Sequence, residues 1–248
     1  MDLVLGTLAL RPYVFAFLAA YLFCGARDLG WRRTLLFGAW VWPVAWLSEF
    51  SSTRVGVPFG FYTYTGATRG QELFIADVPF MDALSFTFLA YAAFCLARHH
   101  LGPGARPAAV TVLSGVLMML LDVVIDPVAV RGDQWFLGHI FYYPNGGVYF
   151  GVPLSNFIGW LVVGMVGAGG HIYWMGGRTA APGGVGQKPL GGVALYYAVL
   201  GFNLAVTAWI GEWLLLACGL VLHAAVAALL SIVRRRPVAW ADMESQKA

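Results

Sequence analysis

The sequence predicts an all-α, polytopic integral membrane protein of about seven transmembrane helices, with two aromatic, Gly/Pro-rich outer loops folded onto the bundle. Three observations carry that expectation. Of the 248 residues, 60% are hydrophobic and only 11% charged, with a mean hydropathy of +0.73, a composition foreign to soluble domains. Apolar stretches of crossing length recur at approximately 5–25, 33–50, 80–98, 108–127, 153–174, 190–209 and 212–233. Finally, the charges segregate between alternate loops. Arg27, Arg32, Arg33, Arg98, Arg106, Arg178, Lys188, Arg234, Arg235, Arg236 and Lys247 fall on one side, and Arg54, Arg69 and Arg131 on the other. Basic residues concentrate on cytoplasmic loops, so the expected orientation is N-terminus outside and C-terminus cytoplasmic, in the cell (inner) membrane.

The first stretch contains Arg11-Pro12, and an arginine there is expected to snorkel outward rather than pair inside. No basic region precedes it, so no cleavable signal is expected. The second stretch ends at Glu49 and leads into a loop running to Asp82, which holds Gly56-Val57-Pro58-Phe59-Gly60-Phe61-Tyr62-Thr63-Tyr64. The fourth ends in Leu121-Asp122-Val123-Val124-Ile125-Asp126-Pro127. Its two carboxylates, spaced i, i+4, share a helical face roughly 6 Å apart along the axis. Pro127 has no N–H and disfavours helical geometry before it, so the helix is expected to kink or end at Asp126. The loop that follows, to Asn156, holds Trp135, His139, Tyr142-Tyr143-Pro144-Asn145-Gly146-Gly147 and Tyr149-Phe150-Gly151-Val152-Pro153. Both loops are too aromatic for solvated linkers and are expected to cap the bundle.

The loops resemble each other. Val78-Pro79-Phe80-Met81-Asp82 opens the third span as Val152-Pro153-Leu154-Ser155-Asn156 opens the fifth, each with a capping-type polar residue. This reads as a weak repeat of helix, acid, aromatic loop, Val-Pro, helix. Coincidence is the competing reading, because proline is common at helix starts. Residues 176–192 form a Gly-rich connector that follows no strand and is no phosphate loop. The chain is expected to be one domain over 1–248. Cys24, Cys95 and Cys218 lie in separate apolar stretches and read as small core residues.

A charge inside a membrane is expensive and is a functional hypothesis by default. Asp122, Asp126 and Glu49 are therefore the candidate catalytic residues, with Asp122, the deeper of the pair, assigned as proton donor. The competing readings are a wet helix end for Asp126 and interfacial salt bridges for Glu49, Glu72, Asp77 and Asp133. Several carboxyls in one apolar site repel, so a proton should stay among them and supply a general acid. Arg131 (or Arg54) is expected to neutralise one carboxylate, while His139 and Asn156 position water. Asp82, Phe59, Tyr62, Tyr64, Tyr149 and Trp160 complete the candidate binding residues. His171 and His223 read as satisfied core histidines, and Glu212 as a structural acid at a helix start.

Other chemistries fit poorly. Ser155 lies in no nucleophile elbow, and neither zinc spacing nor a dinucleotide or Walker pattern occurs. The lysines, Lys188 and Lys247, sit in a loop and the tail, so none could form a retinal Schiff base. The scattered basic residues give no reason to expect a nucleic-acid partner.

Residues 56–64, Leu-Asp-Val-Val-Ile-Asp-Pro-Val-Ala-Val at 121–130 and Tyr-Phe-Gly-Val-Pro-Leu-Ser-Asn-Phe-Ile-Gly-Trp at 149–160 resemble the CruF-type carotenoid biosynthesis membrane proteins. The resemblance covers roughly residues 40–165. It implies a carotenoid 1,2-hydratase that adds water to the terminal double bond of an acyclic, lycopene-like end. The implied partners are the carotenoid, water and the lipid bilayer, with other carotenoid pathway enzymes as further candidates. No cofactor or metal is expected. The alternatives are a Mg-dependent intramembrane isoprenoid transferase or cyclase, with Glu49 and Asp82 as its second acidic cluster, and a non-catalytic carotenoid-binding or transport protein.

Overall fold

Arg11-Pro12 breaks the first apolar stretch into two helices, α1 (Leu3–Leu10) and α2 (Pro12–Asp28), bent by 89° in the computed structural model, which describes residues 2–174 and 189–235. Proline suits the first position of α2 because its missing N–H would have no partner there. Arg11 does not snorkel, contrary to expectation. It is 2% exposed, and its Nε and Nη2 donate to Glu72 Oε2 and Oε1 at 3.1 and 2.7 Å. Its Nη1 donates to the Leu137 carbonyl at 2.9 Å. A bidentate partner and a carbonyl satisfy the guanidinium better than a strained reach to solvent from the elbow. One side chain thus ties the α1–α2 elbow to both long loops.

The chain continues through α3 (Trp31–Val55), α4 (Phe80–Leu101), α5 (Pro107–Ala129) and α6 (Leu154–Gly169), which runs into a π-helical turn, Gly170–Trp174. Two further helices, α7 (Leu190–Trp209) and α8 (Trp213–Arg235), close the bundle. It is mostly helical (73%) and is a membrane protein by its helices. Among the described residues, five helices are long and apolar enough to cross a membrane: α4, α5, α6 with its π turn, α7 and α8. The bent α1–α2 pair brings the count to six, and the expected seven is not confirmed. The shortfall lies in α3, which is long enough at 25 residues but not apolar enough, its tryptophans, Pro43, Ser48 and Glu49 lowering the hydropathy of its middle.

The core centres on α4, whose side chains from Phe86 to Arg98 are all buried. α5 packs most closely on α6. A Cβ on Gly115 would meet the Leu161 carbonyl at 2.5 Å, and one on Gly164 would meet Gly115 Cα at 2.9 Å. Small residues let membrane helices approach in this way. α5 also passes through Pro127 and ends at Ala129, so the expected end at Asp126 is corrected. The Asp126 carbonyl accepts from the Val130 N–H at 2.9 Å, which keeps the last turn helical.

The two long loops form one cap. Strand β1 (Thr63–Tyr64) of the first pairs antiparallel with β4 (Phe141–Tyr142) of the second, Thr63 opposite Tyr142 and Tyr64 opposite Phe141. Within the first loop, β2 (Phe74–Ile75) pairs with β3 (Val78–Pro79). Phe59, Tyr62, Leu137, Ile140, Phe141 and Tyr143 are buried beneath this cap, as expected of loops that fold back.

The ion pairs differ from expectation. Arg54 and Arg69 both meet Asp77 at the surface, and Arg131 Nε donates to Glu212 Oε1 at 2.6 Å. Neither Arg54 nor Arg131 pairs with Glu49, Asp82, Asp122 or Asp126 among the described residues. Glu212 draws Arg131 away because both stand where α5 and α8 meet the cap. His171 is buried as expected but not satisfied. Its ring packs edge-on against Phe37 and Phe94, and neither nitrogen has a hydrogen-bond partner among the described residues. His223 Nδ1 lies 2.9 Å from the Gly219 carbonyl. The three cysteines are free. Most of the Gly-rich connector, with Arg178 and Lys188, lies outside the described residues, as do Arg236 and Lys247.

Candidate functional site

Four helix ends and the cap surround a cavity of about 140 Å³. Each end delivers a polar side chain for a local reason. Glu49 lies near the end of α3 and Asp126 near the end of α5, where each helix runs out beneath the cap. Asp82 and Asn156 are the third residues of α4 and α6, each of which starts immediately after a proline, Pro79 or Pro153. Capping was the expectation for both, but neither helix start has a side-chain cap. Asp82 and Asn156 turn instead to the cavity wall.

Asn156 connects the acids. Its Nδ2 donates to Asp122 Oδ2 at 2.6 Å and to Asp126 Oδ2 at 2.7 Å, one amide hydrogen to each. Tyr143 donates its hydroxyl to the same Asp126 oxygen at 3.1 Å. Asp122 is fully buried, and its other oxygen, Oδ1, has no hydrogen-bond partner among the described residues. It does not line the cavity, whereas Asp126 does. The i, i+4 spacing brings the two carboxyls together, and Asp122 is the more buried of the two, as expected, but the cavity opens on Asp126. The deeper acid lies behind the other, shielded by Asn156 and by the turn of α5.

Tyr64 lines the cavity with Glu49 and Asp82. Its hydroxyl lies 3.4 Å from that of Tyr62. Glu49 is buried, and its Oε2 has no hydrogen-bond partner among the described residues. Burial pushes the Tyr62, Tyr64 and Tyr143 phenols well above their usual range, so at neutral pH all three keep their protons. No Arg, Lys or His lines the cavity among the described residues.

The remaining wall is aromatic. Phe86 stacks on Trp160 with centroids 4.2 Å apart, and Phe59 packs 5.8 Å from Phe86. Gly159 makes room for this arrangement, because a Cβ there would lie 2.4 Å from the Phe59 ring. The 56–64 and 149–160 segments thus meet face to face across the wall.

The residue types, three carboxyls and an amide in an aromatic shell, suit proton transfer to an apolar substrate better than recognition of an anion. Residues 1–226 match the family described as carotenoid biosynthesis protein. The chain belongs to that family. Over 119 residues it is 37% identical to the bisanhydrobacterioruberin hydratase of Haloarcula japonica, a match taking in 48% of this chain and 38% of that protein. The matched stretch therefore spans well under half of the relative's length. No solved structure matches the chain.

In this family member the structure gathers Glu49, Asp82, Asp126, Asn156, Phe59, Tyr62, Tyr64 and Trp160 around one cavity. It leaves four sequence candidates off the wall. Asp122 stands behind Asp126, and Arg131 turns to Glu212. His139 is exposed on the outside of the cap, beside Tyr142. Tyr149 packs on Phe150 and Phe157. Tyr143 and Phe86 are the residues that sequence reasoning missed. The signal for Tyr143 was present in the second loop, but nothing local separates it from its neighbour Tyr142, which points out. Phe86 carried no signal beyond its place in an apolar helix.

Proposed function

We propose that this protein is a carotenoid hydratase that adds water to the terminal trisubstituted double bond of an acyclic, lycopene-like end. The observation that carries the reading is the cavity itself. Three carboxyls and a carboxyl-bridging asparagine face a void whose walls are otherwise mostly aromatic and aliphatic, with Ser85, Asn203 and tyrosine hydroxyls as the further polar groups, and hold no cationic side chain among the described residues. A void of about 150 Å³ holds one benzene-sized molecule, so this one suits the branched end of an isoprenoid.

The proposed reaction balances as follows. Asp126, in its protonated form, gives its proton to the CH carbon of the terminal double bond. The π pair forms the new C–H bond and leaves a tertiary cation on the dimethyl carbon. A water oxygen then bonds to that carbon, and the proton it sheds returns to a cavity carboxylate. The product is a tertiary alcohol, and the enzyme ends in its starting protonation state. Glu49 and Asp82 face the cation and hold the water, and the Tyr64 hydroxyl lines the same cavity. The faces of Phe86 and Trp160 add cation–π stabilisation. Asp122 acts through Asn156 and Asp126 as a positioning residue. Four carboxyls with no cation on the wall are held together by retained protons rather than by salt bridges.

The same reading places the cap outside, with the N-terminus outside and the C-terminus cytoplasmic, in the cell membrane where the polyene dissolves. Expression in a lycopene-producing host, followed by pigment analysis, tests it. The expected result is a new, more polar pigment heavier by one water. Pigment that co-purifies without any new product would favour a carotenoid-binding protein instead.

A further inference from the structure

The cavity is too small for the substrate class it is matched to. At about 140 Å³ it holds an end group, so the rest of a long polyene must leave it through the wall. The carboxyl end is the poorer exit for a polyene, because Glu49, Asp126 and Asn156 are buried beneath the cap and the partly buried Asp82 and Tyr64 there are polar. At the other end the lining passes to Tyr13 and Phe17 of α2 and Val199 and Phe202 of α7. Tyr13, Phe17 and Phe202 are only partly buried.

These rings form a continuous track. Tyr13 stacks on Phe202 at 5.3 Å, and Phe17 meets Phe202 edge-on at 5.7 Å. Phe136 lies 6.3 Å from Phe202 and 6.2 Å from Trp209. Phe136 and Trp209 are 52% and 66% exposed, so the track runs from the cavity wall to the outer face of the bundle. It crosses α7, an apolar helix of membrane-crossing length, and emerges at the cap end of that helix, where Trp209 is its last residue. Aromatic faces are the surfaces on which a flat conjugated chain stacks. The α2 and α7 residues of this lining include no carboxylate; the polar side chains among them are Tyr13 and Asn203, and the Asn203 amide donates to the Val199 carbonyl at 2.9 Å.

We propose that the gap between α2 and α7 is the lateral door for the carotenoid, with Tyr13, Phe17 and Phe202 as its leaves and Phe136 and Trp209 as the resting track of the polyene outside. The end group passes between the leaves to the carboxyls, while the tail stays in the bilayer. The assignment rests on the carotenoid reading of the site and goes beyond it by naming where and how the substrate is held.

The test uses the full chain with Cys24, Cys95 and Cys218 replaced by alanine and a cysteine pair, Phe17→Cys with Phe202→Cys, bridged by a short reducible cross-linker. Lycopene is then offered in mixed micelles, and both bound pigment and alcohol are measured before and after reduction. Bridging should lower pigment uptake by at least about tenfold, as closing a gate does, and reduction should restore it. A Trp40→Cys with Trp174→Cys pair, on rings 4.8 Å apart away from the cavity, is the control and should leave uptake unchanged when bridged. Equal uptake with the α2–α7 bridge closed would overturn the door and assign the aromatic track to packing against lipid. Uptake that follows the bridge without any alcohol forming would uphold the door and defeat the hydratase reading.

Discussion

Asn156 Nδ2 lies 2.7 Å from Asp126 Oδ2, and that contact joins the start of α6 to the end of α5 at the cavity wall. The same nitrogen reaches Asp122 at 2.6 Å. Removing the amide leaves two neighbouring carboxyls with no shared donor. Asn156→Leu should lower turnover by about a hundredfold, the usual cost of misplacing a reacting group by an ångström. Tyr143→Phe, which deletes only the 3.1 Å bond to Asp126, should cost about tenfold. Turnover in membranes at matched protein level checks both. Near-normal rates in Asn156→Leu would mean that the bridge plays no part.

Asp126→Asn removes the proton and charge that face the cavity and should lower alcohol formation by about 10²–10⁴-fold, as loss of a general acid does. Asp122→Asn keeps the cavity wall intact and should cost less. The opposite order would return the donor role to Asp122, and insensitivity of both would move it to Glu49.

Arg11 and Glu72 form a buried pair that ties the α1–α2 elbow to the cap. Breaking such a pair strands a buried charge and costs about 3–5 kcal/mol. Arg11→Met should therefore lower the detergent melting temperature sharply, and Arg11→Met with Glu72→Leu should recover much of the loss. Thermal unfolding of the single and double variants checks this. Equal destabilisation in both would show that packing, rather than the stranded charge, dominates.

No cationic side chain lines the cavity among the described residues, so a diphosphate would find no partner there. Activity in detergent should survive EDTA without added Mg²⁺. Loss on chelation that Mg²⁺ restores would favour the transferase reading.

The candidate site was partly legible because intramembrane acids are costly and therefore stand out. Glu49, Asp82 and Asp126 were visible as charges in apolar stretches, and all three line the cavity. The likeness between the Val-Pro helix starts also has a structural counterpart, with Asp82 and Asn156 at equal positions in α4 and α6 and the two loops paired through Tyr64 and Phe141. Periodicity and charge could not disclose which loop residue turns inward. Tyr143 is buried and Tyr142 exposed only because β1 fixes the register of β4. Nor could they foresee that Arg11 would find Glu72 across 61 positions of sequence, since that pairing depends on the 89° elbow. Asp122 is the more buried acid of the pair, as its place in the helix implied, but the pattern along one helix could not show that the cavity opens on Asp126. The cavity lies to one side of α5, and the deeper acid falls behind its neighbour.

The most direct test is an isotope experiment on the purified protein with lycopene. Turnover in H₂¹⁸O should place one ¹⁸O in the tertiary hydroxyl, and turnover in D₂O should place one deuterium on the adjacent carbon. Both labels together are the mark of protonation followed by water capture. An alcohol whose oxygen does not come from solvent, or bound carotenoid that never gains a solvent label, would contradict the account.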